Sequence, residues 1–268
     1  MFHSILAELH RRYQSANLSI TGSFYFLGAL EASCLGNYVK NHENILCTSA
    51  AISNDDASFM YELTTVLKPK RILVIGNAYG FSTVLLSIMC PSAKLVAFDK
   101  FRISGIKLTN SLLDNPEHIA VKGSTPEDIA SIIRTYLGGE CDLVLVDAVH
   151  TNEVQTSEFE IYSNFLSSTS AVLFHDILTC NLLESFNEIS AKGSEMDFFL
   201  LTKSVSGLGV ALKGDYQKDF LDYCKFLSSP LEETFELVDF FHRQRFKSGI
   251  YSSIPQTKIL LTPPHPQS

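Results

Sequence analysis

Four ionisable side chains follow two apolar runs closely, and their types suit proton transfer. Asp147 and His150 follow DLVLV, whereas His175 and Asp176 follow SAVLF. An imidazole titrates near neutral pH, so it can remove the proton from a hydroxyl while a new bond forms. The alternative is that these are ordinary polar loop residues with satisfied hydrogen bonds.

A second candidate site is the loop within RILVIGNAYGFSTVLL, residues 71–86. Gly76 ends an apolar run and Gly80 opens a segment with helical spacing, as in a strand–loop–helix unit. Asp99 ends the next apolar run, 19 residues after Gly80, and could accept hydrogen bonds from both ribose hydroxyls of a nucleoside. The spacing GNAYG lacks the third glycine of a pyrophosphate loop, which favours a ligand without phosphate. An ordinary strand-to-helix turn would also use these glycines.

The elements around these residues alternate between apolar runs and helical patterns. Continuous apolar runs suit parallel strands that are covered on both faces. They are residues 71–76, 94–99, 118–123, 142–147 and 170–176. Two further runs, MDFFLLTKS and LGVALKG, predict a hairpin, so the last strand runs antiparallel. The sequence therefore predicts an α/β protein with a Rossmann-like, doubly wound, seven-stranded mixed sheet. Both candidate sites then lie at the carboxyl ends of its strands.

Helical patterns occupy the remaining segments and define the domain organisation. NDDASFMYELTTVLK predicts a helix with an Asn/Asp cap, and STPEDIASIIRTYLGG predicts one capped by Thr125. Beyond Gly214 two amphipathic helices are expected, the second capped by Ser229. The predicted organisation is a helical N-terminal cap (1–52), a central catalytic domain (53–214) and a helical C-terminal extension with a tail (215–268).

Charge and composition exclude several classes of partner. The net charge is −8 and the basic residues are scattered, which argues against nucleic acid. No apolar run approaches the roughly 20 residues of a membrane span. The six cysteines stand singly, and charges interrupt the N-terminal stretch where a signal peptide would be apolar. We therefore expect a cytoplasmic protein with free thiols, no nucleic-acid partner and no membrane partner.

Five motifs together resemble the class I S-adenosylmethionine (SAM)-dependent methyltransferases, in particular the catechol-type O-methyltransferases. They are VIGNAYGFSTVLL, LVAFDKF, KGSTPEDI, CDLVLVDAVHTNEVQTSEFE and AVLFHDIL, and the resemblance spans about residues 53–214. It implies methyl transfer from SAM to an oxygen of a small acceptor, such as a secondary metabolite. The cofactor-binding residues that it implies are Gly76, Asn77, Ala78, Tyr79, Gly80, Asp99, Lys100, Gly123, Ser124, Thr125 and Asp147.

The resemblance also implies a divalent-metal site at Asp147 and the 175–176 pair. In the catechol type that pair reads Asp-Asn, whereas here it is His-Asp, and Mg²⁺ prefers oxygen ligands. We therefore expect a metal-independent reaction, with Asp147 and Asp176 as the residues that would hold Mg²⁺ in the alternative case. Asp147, His150 and His175 are the catalytic candidates. His150 is preferred as the base because a loop position can reach into the pocket.

Two residues depart from the family's pattern, namely Val74 and Ala78, which replaces the middle glycine of the loop. Val74 stands where the family usually has an acid that contacts the methionine amino group through water. Its absence keeps alive a cyclase or an aminocarboxypropyl transferase that consumes SAM by attack at another carbon next to sulfur. A catalytically silent, cofactor-binding partner protein is the third hypothesis.

The aromatic segments 1–50 and 215–262 predict plain core packing, a lid over the acceptor pocket or a homodimer interface.

Overall fold

A computed structural model describes residues 2–21, 33–38, 45–204, 206–228 and 230 of the chain. Contacts divide the chain after residue 229, and everything in the second unit except Pro230 lies outside the described residues. The predicted helix capped by Ser229 therefore lies outside them as well. Among the helices that the structure describes, none is long and apolar enough to cross a membrane.

The N-terminal segment contains one helix and a small antiparallel sheet. Its elements are α1 (Phe2–Ser15), β1 (Ser19–Thr21), β2 (Ser33–Tyr38) and β3 (Ile45–Ala51). The strands pair in the order β1-β2-β3. The prediction that residues 1–52 form a helical cap is therefore wrong beyond α1. The sequence of β3, ILCTSAA, has the β-branched residues of an extended segment, and such a segment satisfies its backbone by pairing with a neighbour.

A seven-stranded mixed sheet follows and confirms the predicted fold class. Its strands are β4 (Arg71–Ile75), β5 (Lys94–Asp99), β6 (His118–Lys122), β7 (Cys141–Val146), β8 (Leu166–Phe174), β9 (Met196–Leu201) and β10 (Leu208–Lys213). Their order across the sheet is β6-β5-β4-β7-β8-β10-β9, and β10 runs antiparallel to both of its neighbours. The order reverses between β4 and β7. The carboxyl ends of these two strands therefore form the crevice where open α/β sheets bind ligands.

Helices cover both faces of this sheet. They are α2 (Asn54–Leu67), α3 (Phe81–Met89), α4 (Ile103–Leu112), α5 (Ile129–Ile132), α6 (Asn152–Tyr162), α7 (Leu183–Lys192) and α8 (Lys218–Leu227). Successive strand residues point to opposite faces, so Val74 joins the core under α1–α4 and α8, whereas Leu73 joins the core under α5–α7. Phe220 of α8 stacks on Phe59 of α2, with ring centroids 6.0 Å apart. Helix α8 is therefore part of the packing around the sheet.

Two helix starts differ from the predicted ones. Ser53, rather than the following Asn or Asp, caps α2, because its hydroxyl accepts the Asp56 N–H at 3.0 Å and the Asp56 carboxylate accepts the Ser53 N–H at 3.2 Å. Thr125 does not cap α5, which begins only at Ile129. The Thr125 hydroxyl donates instead to the buried carboxylate of Glu158. A π-helical turn at Ile133–Leu137 then ends at a glycine, as the sequence predicts.

Candidate active site

Two glycines fix the loop between β4 and α3. Gly76 has φ +97° and Gly80 has φ +85°, backbone conformations that glycine adopts without strain. A Cβ on Gly76 would lie 1.9 Å from the carbonyl oxygen of Asp147, and one on Gly80 would lie 2.1 Å from Thr109 Oγ1. Ala78 between them also has a positive φ of 44°. The loop therefore requires both glycines, and Gly76 brings the ends of β4 and β7 into direct contact.

Asn77 lies inside this loop. Its side-chain NH₂ donates to Thr109 Oγ1 at 2.9 Å and to the Ala78 carbonyl, while its amide oxygen accepts the Thr83 hydroxyl at 3.0 Å. The residue is only 3% exposed, so its side chain has almost no surface for a ligand. The structure thus gives the Asn77 side chain a supporting role, whereas the sequence grouped it with the cofactor contacts.

The first turn of α3 offers backbone donors at the crevice. Gly80 is the N-cap and provides no side-chain hydrogen bond, so the N–H groups of the first turn are left for a ligand or water. Tyr79 just before it is held from two sides. Its carbonyl accepts the Tyr13 hydroxyl at 2.9 Å, and the Arg102 guanidinium lies 5.5 Å from its ring centroid. Free N–H groups at a positive helix end suit a carboxylate.

The carboxylate of Asp99, at the end of β5, joins two loops. Its Oδ2 accepts the Ala78 N–H, and its Oδ1 accepts the N–H groups of Phe101 and Arg102, all at 2.9 Å. A carboxylate has about four acceptor positions, so roughly one stays open to an external donor such as a ribose hydroxyl. The neighbouring Lys100 places its Nζ 5.4 Å from the Phe101 ring centroid.

The loop after β6 packs against α6. A Cβ on Gly123 would lie 2.7 Å from Ile132 Cδ1, so this glycine permits close packing. The Ser124 N–H donates to Asp128 Oδ2 at 2.7 Å, which closes the following turn. The Thr125 hydroxyl donates to Glu158 Oε1. These bonds fix the segment that the resemblance assigns to the adenine.

The four strand-end side chains predicted from the sequence converge beside the glycine loop, and we call Asp147, His150, His175 and Asp176 the rim cluster. His175 Nδ1 lies 3.3 Å from both Asp147 Oδ1 and Asp176 Oδ2. His150 Nε2 lies 3.4 Å from the same two oxygens. Within the described chain, neither nitrogen has a hydrogen-bond partner. Two nitrogens and two oxygens therefore alternate around a common centre.

Asp56 of α2 is a fifth charged residue at this place, and the sequence reasoning missed it. Its Oδ2 lies 3.4 Å from His175 Nε2. The carboxylate is buried and accepts the Ser53 N–H, the Ser53 hydroxyl at 2.8 Å, and the hydroxyls of Ser204 and Ser206. The capping position explains an acid there, so the sequence carries no separate signal for its contact with His175.

These contacts shift the pKa values of the cluster. Burial opposes a charge on His175, but the three surrounding carboxylates outweigh it and hold the pKa of His175 well above the ordinary histidine value. Despite burial, His175 keeps the pKa of Asp56, Asp147 and Asp176 below the usual range. The Asp147 carboxylate raises the pKa of His150, against a smaller opposing effect of burial. The surrounding carboxylates therefore favour the protonated form of His175, and the charge of that form offsets theirs.

Glu158 of α6 is a second buried acid that sequence reasoning missed. The residue is 0% exposed, and its Oε2 has no hydrogen-bond partner among the described residues. Burial raises its pKa to about 7, although the Thr125 hydroxyl and the charge of His150 act in the opposite direction. The Tyr162 hydroxyl, one helical turn away, is also buried and has no hydrogen-bond partner among the described residues.

The donor atoms of the rim cluster fit Mg²⁺ poorly. Ligand atoms of Asp147, His175 and Asp176 all lie within 4.8 Å of one another. Mg²⁺ demands near-octahedral oxygen coordination, whereas here an imidazole nitrogen lies between the two carboxylates. An imidazole at this position therefore weakens a site built from oxygen ligands alone.

A family model described as "Methyltransferase domain" matches residues 73–177. This range runs from β4 to the turn after β8, and it contains the glycine loop, Asp99 and the rim cluster but not Asp56. No curated protein sequence matches the chain.

Three solved structures are similar to the fold. A putative caffeoyl-CoA O-methyltransferase from Staphylococcus aureus is 17% identical with a TM-score of 0.52, over 61% of this chain and 85% of that one. The O-methyltransferase TomG from Streptomyces achromogenes, in complex with SAM, is 15% identical with a TM-score of 0.52, over 79% and 90%. An O-methyltransferase from Bacillus cereus, in complex with SAH, is 15% identical with a TM-score of 0.53, over 78% and 90%.

These likenesses agree with the sheet order and the antiparallel last strand, and the family model matches the segment that carries the crevice. The motifs that resemble methyltransferases in the sequence lie on the same elements. Residues 73–177 therefore match a methyltransferase domain, and the chain has the Rossmann-like fold of these solved methyltransferases.

Proposed function

We propose that this domain transfers the methyl group of SAM to an oxygen atom of a small acceptor molecule. The observation that carries the proposal is the contact between Gly76 and Asp147, where a Cβ would lie 1.9 Å from the carbonyl oxygen. This contact puts a loop suited to the cofactor beside a cluster suited to proton transfer. The similar structures of TomG with SAM and of the Bacillus cereus enzyme with SAH support the choice of cofactor.

Three features of the crevice fit a nucleoside with an amino-acid portion. The N–H groups at the start of α3 suit a carboxylate, and the remaining acceptor position of Asp99 suits a ribose hydroxyl. The fixed loop after β6 would flank the adenine. We propose the predicted set as the cofactor contacts, with Asn77 contributing through its backbone. The set comprises Gly76, Asn77, Ala78, Tyr79, Gly80, Asp99, Lys100, Gly123, Ser124, Thr125 and Asp147.

Methylation of a hydroxyl requires a proton acceptor at the rim. When bound, SAM supplies a methyl group on a sulfonium that already provides the leaving group. His150 is the more open imidazole, since 31% of its side chain is exposed against 9% for His175. We propose that the His150 imidazole accepts the proton, that Asp147 orients this imidazole through its contact with Nε2, and that His175 fixes Asp147 from the buried side. Each of these catalytic roles depends on a contact of 3.3–3.4 Å.

Exposed apolar side chains after β5 and β7, at the carboxyl edge of the sheet, suit a small organic acceptor. Phe101, just beyond β5, is 79% exposed, and Val149, between Asp147 and His150, is 42% exposed. The net charge of −8 gives no reason to propose nucleic acid. A homodimer through the terminal segments stays a proposal, because much of those segments lies outside the described residues.

A reducing compartment such as the cytoplasm is the proposed location. The cysteines whose side chains the structure describes are free thiols, namely Cys90, Cys141, Cys180 and Cys224. Unpaired thiols are typical of proteins in compartments that keep cysteine reduced.

The test is incubation with isotopically labelled SAM and a panel of phenolic and other hydroxylated acceptors, with mass analysis of both products. S-adenosylhomocysteine together with an acceptor heavier by one labelled methyl group supports the proposal. Methylthioadenosine would identify the cyclase or aminocarboxypropyl alternative. Measured SAM binding without turnover of any acceptor would favour the silent binding protein.

A matched pair of variants tests the base. His150→Ala should bind SAM as the wild type does but turn over at least ~10²-fold more slowly, because general-base assistance typically contributes ~10²–10⁴-fold. Glu153→Gln, an exposed change on the following helix, is the control and should keep the wild-type rate. Equal rates for His150→Ala and the wild type would remove His150 from the mechanism.

A further inference from the structure

We propose that Asp56 of α2 is a positioning residue for the methyl transfer, because it fixes the His175 imidazole that in turn holds Asp147. The inference rests on the proposed function, in which Asp147 orients the base His150. It extends that function to a helix that ends before the family-matched residues 73–177 begin. Asp56 is only 1% exposed, so it acts through His175 and does not contact the acceptor.

The side chains between Asp56 and the base form a continuous row. Asp56 Oδ2 lies 3.4 Å from His175 Nε2, and Nδ1 of the same ring lies 3.3 Å from Asp147 Oδ1. That Asp147 oxygen lies 3.4 Å from His150 Nε2. A displacement of the Asp56 carboxylate is therefore passed to His150 through two intervening side chains.

The orientation of the His175 ring depends on Asp56. Among the described residues, Asp56 is the only acid in an ion pair with Nε2, and neither ring nitrogen forms a hydrogen bond. Contacts of 3.3–3.4 Å are long for hydrogen bonds, but such contacts in ligand-free enzymes often shorten when the substrates bind. The residue is 8% exposed, so water cannot readily replace a lost partner. Without the Asp56 charge, Nε2 would have no acceptor to hold the ring in this orientation.

Asp56 is itself held firmly, as a positioning residue must be. Its Oδ2 accepts the Ser53 N–H at 3.2 Å, the Ser53 hydroxyl at 2.8 Å and the Ser206 hydroxyl at 3.3 Å. Its Oδ1 accepts the Ser204 hydroxyl. These donors come from the start of α2 and from the loop between β9 and β10. Two segments that are distant in the sequence therefore fix one carboxylate.

The loop between β9 and β10 also connects Asp56 to the rim cluster by a second route. The Ser206 carbonyl accepts the N–H groups of Leu178 and Thr179 at 3.0 and 3.3 Å. The Thr179 hydroxyl donates to Asp176 Oδ1 at 2.5 Å. The turn that carries Asp176 is therefore anchored to the same serine that bonds to Asp56.

The cap of α2 does not by itself account for this arrangement. A capping box needs only the two reciprocal bonds between Ser53 and Asp56, and its acid is commonly the longer Glu or Gln. The two additional hydroxyl donors and the contact with His175 go beyond that requirement. The alternative to a positioning role is nevertheless a purely structural cap, and the experiments separate the two.

Steady-state kinetics of the full chain, with SAM and a methylated acceptor, test the role. Asp56→Asn keeps the size of the side chain but removes its charge. We expect kcat to fall by about 10–100-fold with an unchanged KM for SAM, because a small misplacement of the reacting groups costs this much in rate. Asp55→Asn, the exposed neighbour in the same helical turn, is the matched control and should keep the wild-type kcat. Wild-type kcat in Asp56→Asn would overturn the proposal.

A double variant separates positioning from a general structural effect. If Asp56 acts through His175, the variant with both Asp56→Asn and His175→Gln should be no slower than His175→Gln alone. A purely structural role would instead multiply the two losses, and that result would overturn the proposal. Circular dichroism establishes that each variant is folded.

A nuclear magnetic resonance measurement tests the contact without SAM or an acceptor. In protein with isotopically labelled histidine, His175 should give a downfield ring N–H signal, because a buried N–H that faces a carboxylate exchanges slowly with water. His175→Gln identifies the signal by its loss. Asp56→Asn should shift or remove it, whereas Asp55→Asn should not. No such signal in the wild type, or an unchanged signal in Asp56→Asn, would overturn the proposal.

The two measurements keep this inference separate from the proposed function. A chain with the Asp56-dependent signal that methylates no acceptor would refute the proposed function and leave the contact between Asp56 and His175 standing. A chain that methylates an acceptor equally fast with Asp56→Asn would support the proposed function and refute the positioning role.

Discussion

Glu158→Gln should make the protein more stable above neutral pH. Glu158 is 0% exposed on α6, its Oε1 accepts the Thr125 hydroxyl, and its Oε2 is without a partner among the described residues. Burial raises its pKa from 4.5 to about 7. Glutamine has nearly the same shape, keeps an oxygen for Thr125 and cannot ionise. The substitution therefore removes the buried charge while it preserves the packing.

The magnitude follows from the pKa shift. Between about pH 4.5 and pH 7 the unfolded chain has lost this proton while the folded chain retains it, so stability falls as the pH rises through that window. One pKa unit corresponds to about 1.4 kcal/mol, so the whole shift amounts to about 3 kcal/mol. Wild type and variant should therefore have nearly equal free energies of unfolding at pH 4.5. At pH 8 the variant should be more stable by up to about 3 kcal/mol.

The assay is urea unfolding of both proteins at pH 4.5, 6 and 8, supported by thermal melts. A gain of about 3 kcal/mol corresponds to a Tm rise of roughly 6–12 °C for a domain of this size. Glu160→Gln, an exposed change on the same helix in an ion pair with Lys192, is the control and should shift stability by less than about 1 kcal/mol at each pH. A variant gain that is the same at pH 4.5 and pH 8 would refute the reasoning, as would a loss at pH 8.

Three further substitutions test the site and the core. Asp99→Ala should weaken SAM binding by about 10–150-fold, because loss of a hydrogen bond to a charged group is worth about 1.5–3 kcal/mol, and unchanged calorimetric affinity would reject its role. Gly76→Ala should destabilise the chain far more than Gly139→Ala. Both glycines have φ +97°, but a Cβ would meet a carbonyl oxygen at 1.9 Å only at Gly76. Phe220→Ala should cost about 3–5 kcal/mol in urea unfolding, and a cost near zero would place α8 outside the core.

The sheet could be predicted because its signals are local. Runs such as RILVI and DLVLV are long enough to cross a sheet that is buried on both faces, and Gly76 marks the turn after the first of them. The convergence of Asp147 and His175 also follows from local reading, since adjacent parallel strands end at the same edge.

The environment of these residues could not be predicted, because it depends on contacts between distant parts of the chain. Asp56 reaches His175 only because α2 packs beneath the end of β8, and its hydroxyl partners Ser204 and Ser206 come from the loop before β10. Thr125 has the sequence features of a helix cap, yet it bonds to Glu158 on another helix. Local patterns identify which side chains are polar, whereas packing decides which of them meet.

The three backbone bonds to Asp99 have a consequence for the thermodynamics of cofactor binding. All three N–H groups donate to the Asp99 carboxylate, which therefore links the backbone at Ala78 to the backbone at Phe101 and Arg102. The loop thus reaches its conformation during folding, and little backbone entropy remains to be lost when a ligand arrives. Preorganised sites gain affinity in this way without any additional contact. A small entropic penalty and little change in amide hydrogen exchange around residue 78 should therefore accompany SAM binding.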